Sequence, residues 1–391
     1  MACESQQFAG QFNRELVHGP DLVGWVHGLV HLNFGNPRNI HPPTRGENWQ
    51  NSSSRFFQKL LLEPIDLSQL DGPNHEKVVE AIVTAEKIGF FQDVNHGVAL
   101  ELLESLKIAT NRFFDQPTER KALYLNGVGP CPLAVYGTSF LPNKEAILKW
   151  KDYLRVSYST DAEAHEYWPK ECKEEALEYI KSCTNLVRRL VEIILTSLGM
   201  TLDYSRLESL IENKLIFVNY YPPCPNPDLT LSAGSHSDAG ILTVLLQDGV
   251  GGLLVKVEED ANAENKEEWI EIPPTPGALL INVRDALQIL TNGIFRSAEH
   301  MVRATSKQSR VSIPFFALPR LSEKIAPLPW LVEHDGYCLD VDMATDSLDC
   351  NPIDCNQLWI SGNVAISVST ISAKFLIWSK VVVWRRLLFV F

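Results

Sequence analysis

The feature that most constrains this chain is a change of hydrophobic period near residue 214. Upstream, Val78, Val79, Ile82, Val83 and Ile88 recur at helical spacing in HEKVVEAIVTAEKIG. The segments LELLESLKIATNRFFD and EEALEYIKSCTNLVRRLVEIILTSLGM follow with the same three- and four-residue rhythm, which lines apolar side chains along one helix face. Gly89 stands where a helix ends, since only glycine takes positive φ there freely. PIDL and FFQDVNHGV, the latter closed by a turn at Asn95-His96-Gly97, are short strands in an otherwise helical stretch. Downstream, LIFVNYYPPC, ILTVLLQD, GGLLVKVE, EWIEIPP, GALLINV and RVSIPFF are short β-branched or aromatic runs broken by Gly, Pro and Asp. Strands so short and so closely spaced predict a β-sandwich or jelly roll. The fold class expected is α+β, a double-stranded β-helix (jelly roll) core with flanking helices. The boundaries are an irregular lead-in over 1–55, a helical region over 56–205, the jelly roll over 206–325 and a divergent tail over 326–391. EEDANAENKEE, between Val257 and Trp269, reads as a solvated hairpin loop. The bulky apolar residues at the end of the tail, interrupted by Lys380, Arg385 and Arg386, predict poor packing and some aggregation.

Charge and composition narrow the function classes. Lys and Arg number 35 against 48 Asp and Glu, a net charge of −13, so no basic stripe is available for nucleic acid or an anionic membrane. At 45% hydrophobic and 21% charged residues the chain is too apolar for disorder. MACESQQFAG has no positive start followed by an apolar run, and no stretch reaches the roughly 20 uncharged apolar residues of a membrane span. The 8 cysteines are scattered without a CxxC pair, the pattern of buried free thiols in a reducing compartment. A cytoplasmic monomer is the expectation.

The sharpest chemical signal is His236-Ser237-Asp238 with His300 farther along the chain. Side chains two apart in a strand project from one face, so His236 and Asp238 can converge, and a neighbouring strand can bring His300 to them. Two imidazoles and one carboxylate on one side of an ion leave positions open, the donor set of non-haem Fe(II) oxygenases. The same residues are open to blander readings, an incidental HxD and a hydrogen-bonded histidine near a strand end. Arg310 and Ser312 share a face of the RVSIPFF strand, where a guanidinium fork plus a hydroxyl matches a carboxylate. A surface arginine on a half-buried strand is the alternative. Asn219-Tyr220-Tyr221-Pro222-Pro223-Cys224-Pro225 ends a strand in a stiff proline turn.

Taken together, NYYPPCP, HSD, LQILTNGIFRSAEH and RVS, with PIDLS and GFFQDVNHG upstream, resemble plant 2-oxoglutarate- and Fe(II)-dependent dioxygenases over roughly 60–335. YGTSFLPNKEAILKWKDYL and WPKECKEEALEYIKS are most similar to the branch of feruloyl-CoA ortho-hydroxylases and benzoxazinoid dioxygenases. The resemblance implies His236, Asp238 and His300 as iron ligands, with Arg310 and Ser312 holding the distal carboxylate of 2-oxoglutarate, assisted by Tyr221 and Asn219. It implies Fe(II), 2-oxoglutarate and O₂ as cofactor and cosubstrates, ascorbate as reductant, and oxidation of a small aromatic plant metabolite coupled to release of succinate and CO₂. Tyr136, Phe140, Phe217 and Phe316 are substrate-pocket candidates, with core packing the alternative for each. A CoA thioester would suit a cationic rim, but Lys144, Lys149 and Lys151 read more simply as surface lysines on a helix.

The chain departs from the family pattern in places. Arg284 stands where glycine is usual, at a turn where a side chain would be strained. Asp93 replaces an apolar strand residue and would be buried without a partner. Met301 follows the distal histidine where arginine is common, and the segment from about Cys338 no longer resembles the helix that packs over the pocket mouth. A catalytically impaired member that keeps fold and metal site is therefore the rival reading. A zinc hydrolase is disfavoured because it leaves Arg310 and Ser312 unexplained.

Overall fold

In the downstream runs, period-two alternation buries both faces of most strands, and that is possible only if each face has its own partner layer. The computed structural model describes residues 63–335, apart from 126–127, 130, 139–148, 202, 228–229 and 258–267. Its strands are β1 (Ile65–Asp66), β2 (Phe90–Val94), β3 (Ala134–Gly137), β4 (Asp152–Tyr158), β5 (Asn213–Tyr221), β6 (Leu231–His236), β7 (Leu242–Gln247), β8 (Leu253–Val257), β9 (Glu268–Glu271), β10 (Leu279–Val283), β11 (His300–Arg303) and β12 (Arg310–Leu318). They form a large sheet of order β1-β2-β10-β7-β12-β5-β4-β3 and a small one of order β6-β11-β8-β9. The pairing is antiparallel throughout except β1 with β2. The jelly-roll expectation is met. The helical stretch contributes more strand than its periodicity suggests, because β1 to β4 all join the large sheet. The acidic insert lies largely outside the described residues, between the antiparallel partners β8 and β9. The lead-in over 1–55 and the tail from Cys338 also lie outside them.

The helices are α1 (His75–Thr84), α2 (Leu100–Phe114), α3 (Thr118–Lys121), α4 (Asp161–Tyr167), α5 (Lys173–Ser197), α6 (Tyr204–Leu210), α7 (Asp285–Leu290) and α8 (Pro329–Asp335). The long helix α5 starts with Glu174 and Glu175, whose charge suits a helix N-terminus. It stops in a paired cap: Gly199 takes φ 74°, its N–H donates to Thr196 O at 2.9 Å, and the Met200 N–H donates to Leu195 O at 2.9 Å. Its apolar stripe, including Tyr179, Ile180, Cys183, Val187, Leu190 and Ile194, packs on one face of the large sheet through Val244, Ile281, Ile313 and Phe315. Downstream of α1, Gly89 has φ 71°, and a Cβ there would stand 2.0 Å from Arg296 O, so no other residue fits. Cys172, Cys183 and Cys224 are buried free thiols, and Cys131 is partly exposed.

Asp93 is the misfit of this packing. It lies on β2 opposite Leu279 and Ile65, fully buried, and neither carboxylate oxygen makes a hydrogen bond. Burial pushes its carboxyl well above the ordinary carboxylate range. The folded chain thus keeps a proton that the unfolded chain releases near pH 4, so stability falls as pH rises from there through the folded-state value, at up to about 1.4 kcal/mol per pH unit. Asp93→Val should therefore stabilise the protein by about 1–3 kcal/mol. In urea unfolding the gain should be larger at pH 8 than at pH 5, and an equal gain at both would refute the linkage.

Candidate active site

The second face of the large sheet meets the small sheet across a cavity. Alternate residues point into it: Asn219 and Tyr221 from β5, Leu280 and Asn282 from β10, Arg310, Ser312, Pro314 and Phe316 from β12, His300 and Val302 from β11. Strand pairing sets these positions. β11 pairs β6 with His300 directly opposite His236, and β12 pairs β5 with Arg310 opposite Tyr221 and Ser312 opposite Asn219.

His236, Asp238 and His300 come together there, with one potential ligand atom from each lying within 4.8 Å of the others. The strand argument for the first two needs a correction. His236 is the last residue of β6 and Asp238 lies beyond the strand end, held by its carbonyl, which accepts the Asp285 N–H at 2.9 Å. Both imidazoles have a fixed tautomer. Nδ1 of His236 meets Gly234 O at 2.7 Å and Nδ1 of His300 meets Ala298 O at 3.2 Å; a carbonyl only accepts, so Nδ1 carries the proton and Nε2 keeps its lone pair. Those Nε2 atoms lie 3.7 and 3.9 Å from the Asp238 carboxylate. Asp238 Oδ2 accepts from Thr243 Oγ1 at 3.1 Å and Asn282 Nδ2 at 3.0 Å, and Oδ1 makes no hydrogen bond although buried. Burial pushes the His236 imidazole down to about 3, and the neighbouring His300 pushes the same way. Burial works against the Asp238 charge, but His300, Arg284, His236 and Thr243 outweigh it and hold the carboxyl below its ordinary value. Two ring nitrogens turned toward a carboxylate that keeps one bare buried oxygen are the donor set a divalent transition metal takes.

Across the cavity Arg310 is 1% exposed, a charge deep in the protein. Its Nε donates to Val250 O at 3.1 Å and its Nη2 to Gln247 Oε1 at 3.0 Å, whereas Nη1 makes no hydrogen bond. The guanidinium lies 5.0 Å over the Tyr221 ring, and the Tyr221 and Ser312 hydroxyls are 3.3 Å apart. A buried cation held only by neutral partners beside two hydroxyls fits a ligand carboxylate.

The aromatic candidates divide. Phe316 lines the cavity. Phe217 stacks edge-on behind it at 5.7 Å and Tyr136 packs against Phe113 and Phe114; neither is among the lining residues. Phe140 lies outside the described residues. Lys151 is not a surface lysine on a helix. It immediately precedes β4, is 3% exposed, lines the cavity, and donates to Asn219 Oδ1 at 3.0 Å. Because an ammonium offers only donors, this contact turns the Asn219 amide nitrogen away from it. Arg284 is unstrained, in extended backbone at φ −113°, and its side chain points to Asp238. Thr243 and Asn282, which orient Asp238, carried no local signal beyond alternation in two β runs. Met301 is buried on β11 opposite Leu254.

Residues 212–319 match the 2OG-Fe(II) oxygenase superfamily, and 62–175 match the family described as non-haem dioxygenase in morphine synthesis N-terminal. A scopoletin 8-hydroxylase of Arabidopsis thaliana is 50% identical over 275 residues, 70% of this chain and 75% of that protein. The chain belongs to the 2OG-Fe(II) oxygenase superfamily. A bi-functional coumaroyl CoA and feruloyl CoA ortho-hydroxylase of Ipomoea batatas is 42% identical, the match covering 78% of this oxygenase and 82% of the relative. A crystal structure of JOX2 in complex with 2OG, Fe and JA superposes with a TM-score of 0.64 at 30% identity, covering 82% of this chain and 91% of that one. This oxygenase is accordingly an oxidoreductase that uses Fe(II), 2-oxoglutarate and O₂. Among the described residues no helix is long and apolar enough to cross a membrane. Thr243→Val keeps the side-chain shape but removes one donor from Asp238, and it should weaken Mn(II) binding to the oxygenase about tenfold or more with an unchanged far-UV spectrum. Calorimetric titration measures this.

Proposed function

We propose that His236, Asp238 and His300 bind Fe(II), that Arg310, Ser312 and Tyr221 hold the distal carboxylate of 2-oxoglutarate with Asn219 assisting, and that the substrate is a free phenolic coumarin. The observation that carries the reading is one cavity holding both a nitrogen-nitrogen-oxygen donor set and a buried arginine whose described partners are all neutral. When bound, iron and 2-oxoglutarate supply oxygen activation coupled to decarboxylation of the cosubstrate to succinate and CO₂. The protein's part is positioning. Arg310 offers its unused Nη1 edge to one end of the dicarboxylate, and Lys151 keeps the Asn219 amide turned. Leu245, Leu253, Leu280 and Val302 keep the walls dry, and Phe90 and Phe316 offer aromatic surface to a planar substrate.

A free coumarin is preferred to a CoA ester for two reasons. The scopoletin 8-hydroxylase shares 50% of its aligned residues with this chain, against 47% for a feruloyl CoA ortho-hydroxylase and 42% for the bi-functional CoA-ester hydroxylase, both of Ipomoea batatas. Lys151, a candidate for a phosphate-binding rim, is buried against Asn219 instead. Scopoletin, coumaroyl-CoA and feruloyl-CoA should be offered in parallel to purified protein with Fe(II), 2-oxoglutarate and ascorbate, reading product mass and succinate. Scopoletin should gain one oxygen atom per succinate formed. Conversion of a CoA ester alone would move the substrate class, and absence of any 2-oxoglutarate turnover would establish the impaired reading.

Two variants test the roles. Asp238→Ala should abolish succinate formation, and near-native turnover in it would remove the metal assignment. Arg310→Lys should raise the KM for 2-oxoglutarate about tenfold or more with a smaller change in kcat, since a point charge replaces a two-pronged donor.

A further inference from the structure

A fixed positive charge stands against the carboxylate of the metal site. Arg284 precedes α7, is 3% exposed, and its Nε lies 4.0 Å from Asp238 Oδ2. The guanidinium covers the Phe316 ring at 4.4 Å, and neither Nε nor Nη1 makes a hydrogen bond. The room for it comes from Gly240, where a Cβ would stand 2.9 Å from Nη1. Asp285 is the other acid whose charge reaches Arg284, and its carboxylate is engaged by Ser237 at 3.3 Å.

We propose that Arg284 is a built-in counter-ion of Asp238, which stabilises the metal-free protein and weakens binding of a divalent cation at the His236, Asp238 and His300 site. The proposal rests on the metal reading given above. A buried carboxylate needs a positive charge nearby, and here either the arginine or a metal ion can supply it. With both present, a monovalent and a divalent cation share one carboxylate in a site of low dielectric, and their repulsion opposes the ion. The guanidinium also lies on the side of Oδ2, which already takes the Thr243 and Asn282 donors, and so draws electron density away from the bare Oδ1. Arg284 thereby acts through Asp238 as a positioning residue.

The test compares wild type, Arg284→Met, Arg284→Lys and Asp238→Ala. Mn(II) binding is followed by loss of the free-ion electron paramagnetic resonance signal, and thermal melting is recorded with and without Mn(II). Arg284→Met should bind Mn(II) about tenfold more tightly than wild type. Its metal-free melting midpoint should fall by several degrees, because Asp238 loses its counter-ion, and its Mn(II)-induced rise should be larger. Arg284→Lys, which keeps the charge, should stay close to wild type. A purely structural role would lower the midpoint without tightening the metal. Equal or weaker Mn(II) binding by folded Arg284→Met, with binding lost in Asp238→Ala, overturns this proposal and leaves the metal site standing. No Mn(II) binding by any of the four overturns both. Should Arg284→Met not fold, Arg284→Gln makes the same comparison with a neutral polar side chain.

Discussion

The site depends on one backbone register, the antiparallel pairing that sets His300 of β11 directly opposite His236 of β6. A slip of one residue would turn one of these side chains to the other face of the small sheet, because neighbouring residues in a strand alternate sides. The pairing alone brings two imidazoles to a ring separation of 4.2 Å. The carboxylate is then fixed from the other sheet, where Thr243 of β7 and Asn282 of β10 stand opposite each other and both donate to Asp238. The cluster of His236, Asp238 and His300 is in this sense a clasp between two sheets, and its geometry follows from strands that share no local sequence.

That clasp is rigid because the large sheet is buried on both faces. One face is sealed by α5, whose Tyr179 hydroxyl lies near the carbonyl oxygens of Val244 and Ile313 on two adjacent strands. The other face is the cavity wall. Alternation along β12 shows the division: Val311, Ile313, Phe315 and Ala317 belong to the helix-side core, and Arg310, Ser312, Pro314 and Phe316 to the cavity. Polar groups are placed on the cavity face, where ligands or each other can satisfy them. Asp93 breaks this order by putting a carboxyl on the helix side, where burial dominates its protonation. Three buried cations have different anchors: Lys151 and Arg310 in the cavity wall hold an amide and neutral acceptors, and Arg284, over the Phe316 ring, faces the Asp238 carboxylate.

Much of the site was legible because a few residue types have few uses at such spacing. His236, His300, Arg310 and Ser312 stand in strands, Asp238 lies two residues past a strand end, and all five line one cavity. What was misread was misread for physical reasons. Lys151 precedes a strand that local composition disguises as part of a helical stretch, and a lysine near several others reads as solvated until packing buries it. Arg284 was expected to strain a turn; its φ of −113° shows that the side chain finds space that Gly240 leaves open, a relation between positions far apart in sequence. Tyr136 and Phe217 have the character of pocket aromatics, and only the packing shows Tyr136 against Phe113 and Phe114 and Phe217 behind Phe316.

By itself the sequence determined the jelly-roll class, the period switch near residue 214 and the donor types for metal and carboxylate, since these rest on local periodicity and on the chemistry of single side chains. Only the tertiary structure decided which polar residues turn Asp238, which aromatic lines the cavity, and that Arg284 lies against the Asp238 carboxylate. Those properties arise from pairing register and from space left by distant residues, and no window along the chain contains them.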